Sequence, residues 1–257
     1  MKKNVYYYQL LNKIEGKQSV SDFFHKKTNN KSLKTGDDPK DWPKSWKKIY
    51  FKTYPRLEKV TFDLADSDEL TTLLHNRRSV RKFSNKPISL KDLSYLLYSS
   101  CGLINFDNNY DNTRRPYPSA GGRYPLEVYP IVLNVDGLKK GLFHYNVRDN
   151  VLEVLLEENL SSWVSKTFGR QDWILQSSVI FLITCVLDRN RIKYGDRGYR
   201  YSLIEAGHLG QNICLLAEKC KFGSCALGGY IDGEMDTLLD IQNTKEVTLY
   251  AIAVGSV

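Results

Sequence analysis

Arg115-Pro-Tyr-Pro-Ser-Ala-Gly-Gly-Arg-Tyr-Pro-Leu-Glu-Val-Tyr129 constrains the fold more than any other stretch, because three prolines and a Gly-Gly pair lead straight into an apolar run. Pro116, Pro118 and Pro125 fix φ and remove backbone donors, which rules out helix. Gly121 and Gly122 lack a Cβ, so their backbone N–H groups can approach a ligand closely. The stretch predicts a rigid loop feeding a strand over 127–135, a geometry suited to a flat, polar-edged cofactor. Taken alone, such a pattern marks a Pro/Gly-rich surface turn more often than a binding loop.

A second cluster favours binding. Arg77-Arg78-Ser79-Val80-Arg81-Lys82-Phe83 follows an amphipathic segment with Leu70, Leu73 and Leu74 on one face. Guanidinium forks hold phosphate and carbonyl oxygens with bidentate geometry, so Arg77, Arg78 and Arg81 around Ser79 suit an anionic cofactor with a polar tail. A short arginine run by itself is a solvated turn.

The remaining pattern is α+β. Apolar spacing predicts helices over 67–76 and 90–103, the latter through Leu90, Leu93, Leu96 and Leu97 behind Pro87. Residues 141–147 and 151–155 flank the turn signal Arg148-Asp149-Asn150 and read as a hairpin. Helix 160–168, strand 178–187, helix 199–220, strand 222–228, helix 233–240 and strand 246–254 complete the set. Residues 29–47 are polar and aperiodic and read as coil over the body.

The net charge of +8 is unevenly placed. Residues 1–60 hold 15 Lys/Arg against 6 Asp/Glu, a net of +9, whereas 61–257 hold 22 against 23, a net of −1. The chain therefore divides into a basic N-terminal arm, 1–60, and a body, 61–257. The arm could be solvated or could dock an acidic peptide or partner. A nucleic-acid enzyme spreads cations along a groove with stacking aromatics, a description that Tyr6, Trp42 and Trp46 meet only in part, so nucleic acid is not expected. No apolar run approaches the roughly 18 residues of a membrane span, and Met1-Lys2-Lys3 lacks a signal-peptide core behind it, so a cytoplasmic protein is expected. Cys101, Cys185, Cys214, Cys220 and Cys225 are odd in number and contain no CxxC pair, which argues against a disulfide scaffold and against a metal site.

Arg77-Arg78-Ser79-x-Arg81-x-Phe83, Pro118-Ser119-Ala120-Gly121-Gly122-Arg123-Tyr124-Pro125 and Cys225-Ala-Leu-Gly-Gly-Tyr-Ile-Asp232, in that order, resemble the motifs of the flavin-dependent nitroreductase superfamily. The middle motif resembles its SagB/ThcOx-type azoline dehydrogenase branch. The resemblance spans about Val60 to Val254, and Phe23-Phe24-His25-Lys26-Lys27-Thr28 is similar to the branch's N-terminal segment. It implies a mixed sheet flanked by helices, a homodimer, and one FMN at each end of the interface. Arg77, Arg78, Ser79 and Arg81 are then expected to hold the FMN phosphate, ribityl chain and pyrimidine edge. Pro118, Ser119, Ala120, Gly121 and Gly122 are expected to reach the isoalloxazine from the partner subunit, with Gly228 and Gly229 near N5. Many nitroreductases end in basic residues over the phosphate, which Ala253-Val-Gly-Ser-Val257 lacks. That shifts phosphate binding to Arg77 and Arg81. His208 and Gln211 are weaker candidates, since a histidine beside a helix glycine is more often a packing residue.

One dipeptide separates small-molecule reduction from peptide oxidation. Lys193-Tyr194, in a stretch from Asp188 to Tyr201 that follows a buried strand and should form the rim of the site, resembles the Lys-Tyr pair of azoline dehydrogenases. Aromatising an azoline removes a Cα proton and a Cβ hydride, so a base is needed. Tyrosine titrates near pH 10, and a neighbouring ammonium would favour phenolate, while a lysine desolvated among Arg189, Arg191 and Arg197 could equally be the base. The resemblance thus implies FMN-dependent oxidation of thiazoline or oxazoline rings in a ribosomally made precursor peptide, beside a separate cyclodehydratase, with oxygen reoxidising the flavin. The alternatives are an NAD(P)H-dependent nitro or quinone reductase and a nonenzymatic FMN-binding scaffold of a modification complex.

Overall fold

A computed structural model describes residues 19–33, 40, 42–44, 51–63, 66–104, 113–169 and 171–257. The first 18 residues of the basic arm and half of the 29–47 coil lie outside the described residues.

The fold is organised around β6 (Val179–Val186), all eight residues of which are buried. Successive strand side chains point to opposite faces, so an apolar strand needs cover on both. Val179, Phe181, Ile183 and Cys185 enter one core with α3 (Leu90–Cys101) and α6 (Arg197–Lys219). Ile180 and Leu182 enter a second core with α4 (Ser161–Phe168) and α7 (Asp232–Leu238). A sheet between two helical layers follows.

Within the sheet, β2 (Leu126–Val132), β4 (Gly141–Asn146), β5 (Val151–Leu156), β7 (Phe222–Leu227) and β8 (Glu246–Ser256) join β6 in the order β5-β4-β2-β6-β8-β7. Every neighbouring pair in it is antiparallel. Parallel pairing joins β1 (Ile88–Ser89) to β3 (Val135–Asp136) and bridges Ser79 to Ser224 of β7, which makes the arrangement mixed, as expected. The 148–150 turn closes the predicted hairpin, with Asn150 at a φ of 53°. Asparagine tolerates that left-handed conformation better than most residues.

α6 buries Ser202, Glu205, Ala206, Leu209, Gly210, Ile213, Cys214 and Ala217, the three-to-four spacing of one helix face. α3 starts on a capping box, in which the Ser89 hydroxyl accepts from the Asp92 N–H and Asp92 accepts in return. α2 (Glu69–Asn76) has a similar box between Asp68 and Thr71, yet none of its residues is buried.

The structure corrects the reading of residues 188–198, for which the apolar pattern gives no element. They begin with α5 (Leu187–Tyr194), Gly195 turns the chain at a φ of 55°, and α6 begins at Arg197. Charge holds α5: Arg189 pairs with Glu127 at 2.5 Å and Arg191 with Asp22 at 2.5 Å. Asp22 belongs to α1 (Val20–Thr28), which also docks through Ser21 Oγ donating to Asp196 Oδ1 at 2.7 Å and through His25 Nδ1 against Tyr199 Oη at 2.9 Å. Among the described residues, no helix is long and apolar enough to cross a membrane.

Candidate active site

Strand register assembles the site. Leu126 at the start of β2 lies opposite Cys185 near the end of β6, and the Val186 N–H donates to the Pro125 carbonyl at 2.8 Å. The proline-rich loop entering β2 and helix α5 leaving β6 therefore emerge side by side at one end of the sheet.

The loop closes on itself through Ser119. Its hydroxyl accepts from the Tyr124 N–H at 2.8 Å, and its carbonyl accepts from the Gly122 N–H at 3.1 Å. Between them Ala120–Gly122 forms a single 3₁₀ turn with Gly121 and Gly122 both at a φ of 63°. A Cβ on Gly121 would stand 2.6 Å from Tyr194 Oη and 2.9 Å from Lys193 Nζ. The Gly-Gly loop and the Lys193-Tyr194 pair, read as separate motifs, are thus one surface of a single chain. The Tyr194 ring meets Tyr201 edge-on, with centroids 5.1 Å apart.

Lys193 is exposed, and its three arginine neighbours do not crowd it as the sequence suggested. Helical spacing turns Arg189 and Arg191 to Glu127 and Asp22, and Arg197 Nε donates to Tyr201 Oη at 2.9 Å.

Under the loop lies a group that the motifs missed. Glu205 of α6 is 2 % exposed and accepts from the Ser119 hydroxyl at 2.8 Å through Oε2, while Oε1 is buried without a hydrogen-bond partner. Burial, against the opposing pull of Ser119, Arg115 and the Ala120 backbone, pushes its carboxyl up to about 7. Glu205, Tyr201, Ile204, His208 and loop residues Pro118, Ser119 and Ala120 line a shallow cleft of about 250 Å³. The signal in the sequence was positional: Glu205 falls on the apolar stripe of its helix, where an unpaired carboxylate is costly.

A second polar network fixes the frame. His144 of β4 holds Glu153 at 2.8 Å through Nδ1 and Glu127 at 3.3 Å through Nε2, and Glu127 also pairs with Arg189. Arg189 Nη1 donates to the Tyr124 carbonyl at 3.2 Å, and the Arg189 carbonyl accepts from Arg123 Nε at 2.8 Å, which ties the loop exit to α5. Burial alone would raise Glu127, but the hydrogen bond from His144 and the charges of Arg189 and Arg115 hold it at about 2. Burial likewise opposes the imidazolium, yet carboxylates on both ring nitrogens raise His144 above its ordinary value. The linkage has opposite signs for the two groups. Glu127 stabilises the fold above its ordinary carboxylate range, and this is lost as pH falls towards 2; His144 stabilises it below about 6.5, and this is lost as pH rises through its raised value. His144→Gln is accordingly expected to lower the melting temperature more at about pH 5.5 than at about pH 9. An equal loss at both would show that the imidazole is not charged in the folded protein.

The cationic motif lies elsewhere. The Val80 N–H donates to the Ser224 carbonyl at 2.9 Å, placing Ser79 outside β7 at the far side of the sheet from the loop. Four strand spacings separate Ser79 from β2, about 19 Å at about 4.8 Å each. Arg78 Nη1 donates back to the carbonyls of His75 at 2.5 Å and Arg77 at 3.0 Å, capping the end of α2, while Arg77 is half-buried and Arg81 exposed. Gly228 and Gly229 leave β7, with the Gly229 carbonyl accepting from Gln171 Nε2 at 3.4 Å and open space around Gly228. His208 and Gln211 are exposed on α6. Burial pushes the Cys101 and Cys185 thiols up to about 12, so neither supplies a thiolate near neutrality.

With this geometry in place, comparison with known proteins settles the family. The profile of the Nitroreductase family matches residues 74–256. The chain belongs to the nitroreductase family. Among nitroreductase relatives, the Methanocaldococcus jannaschii protein MJ1384, itself named as a nitroreductase, is 30% identical over 200 residues, covering 77% of this chain and 97% of its own. The Escherichia coli microcin B17-processing protein McbC is 28% identical over 151 residues, 57% of this chain and 56% of its own. A solved E. coli microcin synthetase McbBCD complex with truncated pro-MccB17 contains a chain with the same nitroreductase fold, at a TM-score of 0.72 and 21% identity over 93% of this chain and 92% of that one.

Proposed function

We propose that this protein is an FMN-dependent dehydrogenase that oxidises thiazoline and oxazoline rings of a ribosomally made peptide to thiazoles and oxazoles. The observation that carries this reading is the packing of Lys193 and Tyr194 against the Gly121 turn. A proton-transfer pair is thereby held beside a backbone surface with no side chain of its own. Similarity to a microcin-processing protein supports a peptide substrate.

The residues present fit FMN. Arg77 and Arg81 pair with no carboxylate among the described residues and would hold a phosphate, with Ser79 beside them. Arg78, turned back on α2, would have to leave its two carbonyls to join them. Pro118, Ser119, Ala120, Gly121 and Gly122 offer a surface with little side chain, and the open space at Gly228, beside Gly229, leaves room for a planar ring. Bound FMN would supply the hydride acceptor for the azoline Cβ, and dioxygen would regenerate it. Lys193 and Tyr194 take the Cα proton.

The span between Ser79 and the loop supports a site shared by two copies of the chain, one giving the cations and the other the loop. Exposed apolar surface supports the same reading: Leu70 and Leu74 on α2 are 57% and 45% exposed, and Phe51 and Phe62, in a segment without a buried residue, are 83% and 87% exposed. A second copy of the chain would cover these side chains. The azoline itself arises by cyclodehydration of Cys, Ser or Thr, so a cyclodehydratase is the required partner.

The test is turnover of an azoline-containing peptide. Purified protein is expected to be yellow and dimeric and to oxidise the peptide in air without NAD(P)H, and Arg81→Ala is expected to elute with its flavin lost. NAD(P)H oxidation without azoline turnover would instead establish a nitro or quinone reductase, the reading that the nitroreductase relative supports. A yellow protein with neither activity would be a scaffold. A colourless dimer that takes up no added FMN would overturn the cofactor assignment.

A further inference from the structure

We propose that Glu205 is a positioning residue, which through Ser119 sets the turn that seats Lys193 and Tyr194. The inference rests on the site reading above but concerns a side chain outside both of its motifs.

The contacts form an unbroken line. Glu205 Oε2 accepts from the Ser119 hydroxyl at 2.8 Å, and the same oxygen of Ser119 accepts from the Tyr124 N–H at 2.8 Å, so one serine is clamped from below and closes the turn from above. The Ala120 N–H also acts on the carboxyl. Gly121, one residue on, approaches Tyr194 Oη and Lys193 Nζ too closely for any Cβ. The fixed end of this line is rigid, since Glu205 lies on the buried face of a 23-residue helix beside Ala206 and Leu209.

The state of the carboxyl follows from its surroundings. Arg115 is the cation acting on it, and no ion pair reaches it among the described residues. Tyr117 and Cys185 feel its charge but remain protonated near neutrality, because burial pushes both upward. Tyr201 and His208 share the cleft. A buried carboxylate with one orphaned oxygen is costly, whereas the neutral acid keeps its hydrogen bond to Ser119 at little cost. With a folded value of about 7 above an ordinary 4.5, the native turn is favoured fully below 4.5 and loses that support as pH rises through about 7.

Two readouts test this, one without flavin. In apoprotein, amide exchange at Gly121, Gly122 and Arg123, corrected for intrinsic rates, is expected to rise about tenfold from pH 6 to pH 8, roughly the response to a group titrating near 7. Glu205→Gln, a neutral isostere, should exchange slowly at both values, and Glu205→Ala rapidly at both. In protein loaded with FMN, the dissociation constant measured by flavin fluorescence should weaken over the same range in the parent and stay flat in Glu205→Gln. If the parent binds no FMN, the cofactor reading fails while the exchange data still decide the role of Glu205. Retention of the parental pH dependence in Glu205→Gln, or slow exchange in a folded Glu205→Ala, would overturn the proposal.

Discussion

Lys193→Ala and Tyr194→Phe are each expected to lower azoline oxidation by about 10²- to 10⁴-fold, the usual contribution of a positioned proton-transfer group. Both should keep FMN and the parental melting temperature. Lys193 is exposed and makes no ion pair among the described residues, and the Tyr194 hydroxyl lies at the loop surface rather than in a core. A general base is therefore separable from a structural residue: loss of rate with the flavin retained marks the former. Parental turnover in both variants would remove the pair from the mechanism and favour the reductase reading.

Gly121→Ala is expected to cost about 10²-fold in rate, on the order of what a 1 Å misplacement of reacting groups costs. The new methyl would meet the far ends of two flexible side chains, so Lys193 and Tyr194 would swing aside and the backbone would stay. The stability cost is that of a left-handed non-glycine residue, about 1–2 kcal/mol. Gly195→Ala supplies the control, because Gly195 has a φ of 55° and open space beyond its Cα. At a ψ of −144°, against 22° for Gly121, an alanine there carries the greater backbone strain but places no methyl against either group. Equal rates in Gly121→Ala and Gly195→Ala would show that the position of the Lys-Tyr pair is unimportant.

Much of the architecture was legible because burial leaves periodic marks. The apolar run of β6, broken only by Thr184, announced a buried strand, and the stripe through Ala206, Leu209, Ile213 and Ala217 announced α6. The helix α5 left no such mark. Its residues are held by Glu127 and Asp22, partners 62 and 169 positions distant from Arg189 and Arg191, and no local spacing encodes a charge pair at that range. The same limit applied to the site. Motif reading named the loop and the Lys-Tyr pair, but their contact depends on the register of β2 against β6. Glu205 was visible only as a carboxylate out of place on an apolar face, a hint that gains meaning once Ser119 is seen above it.

The strand order carries a consequence for biosynthesis. β8 is the last described strand to be made, yet it lies inside the sheet between β6 and β7. Until it emerges from the ribosome, the central strand has one bare edge and β7 has no neighbour on that side. Exposed strand edges of this kind invite pairing with other chains. A nascent chain that has already made the loop, the Lys-Tyr pair and Glu205 thus still lacks the strand that covers this edge of β6 and joins β7 to the sheet.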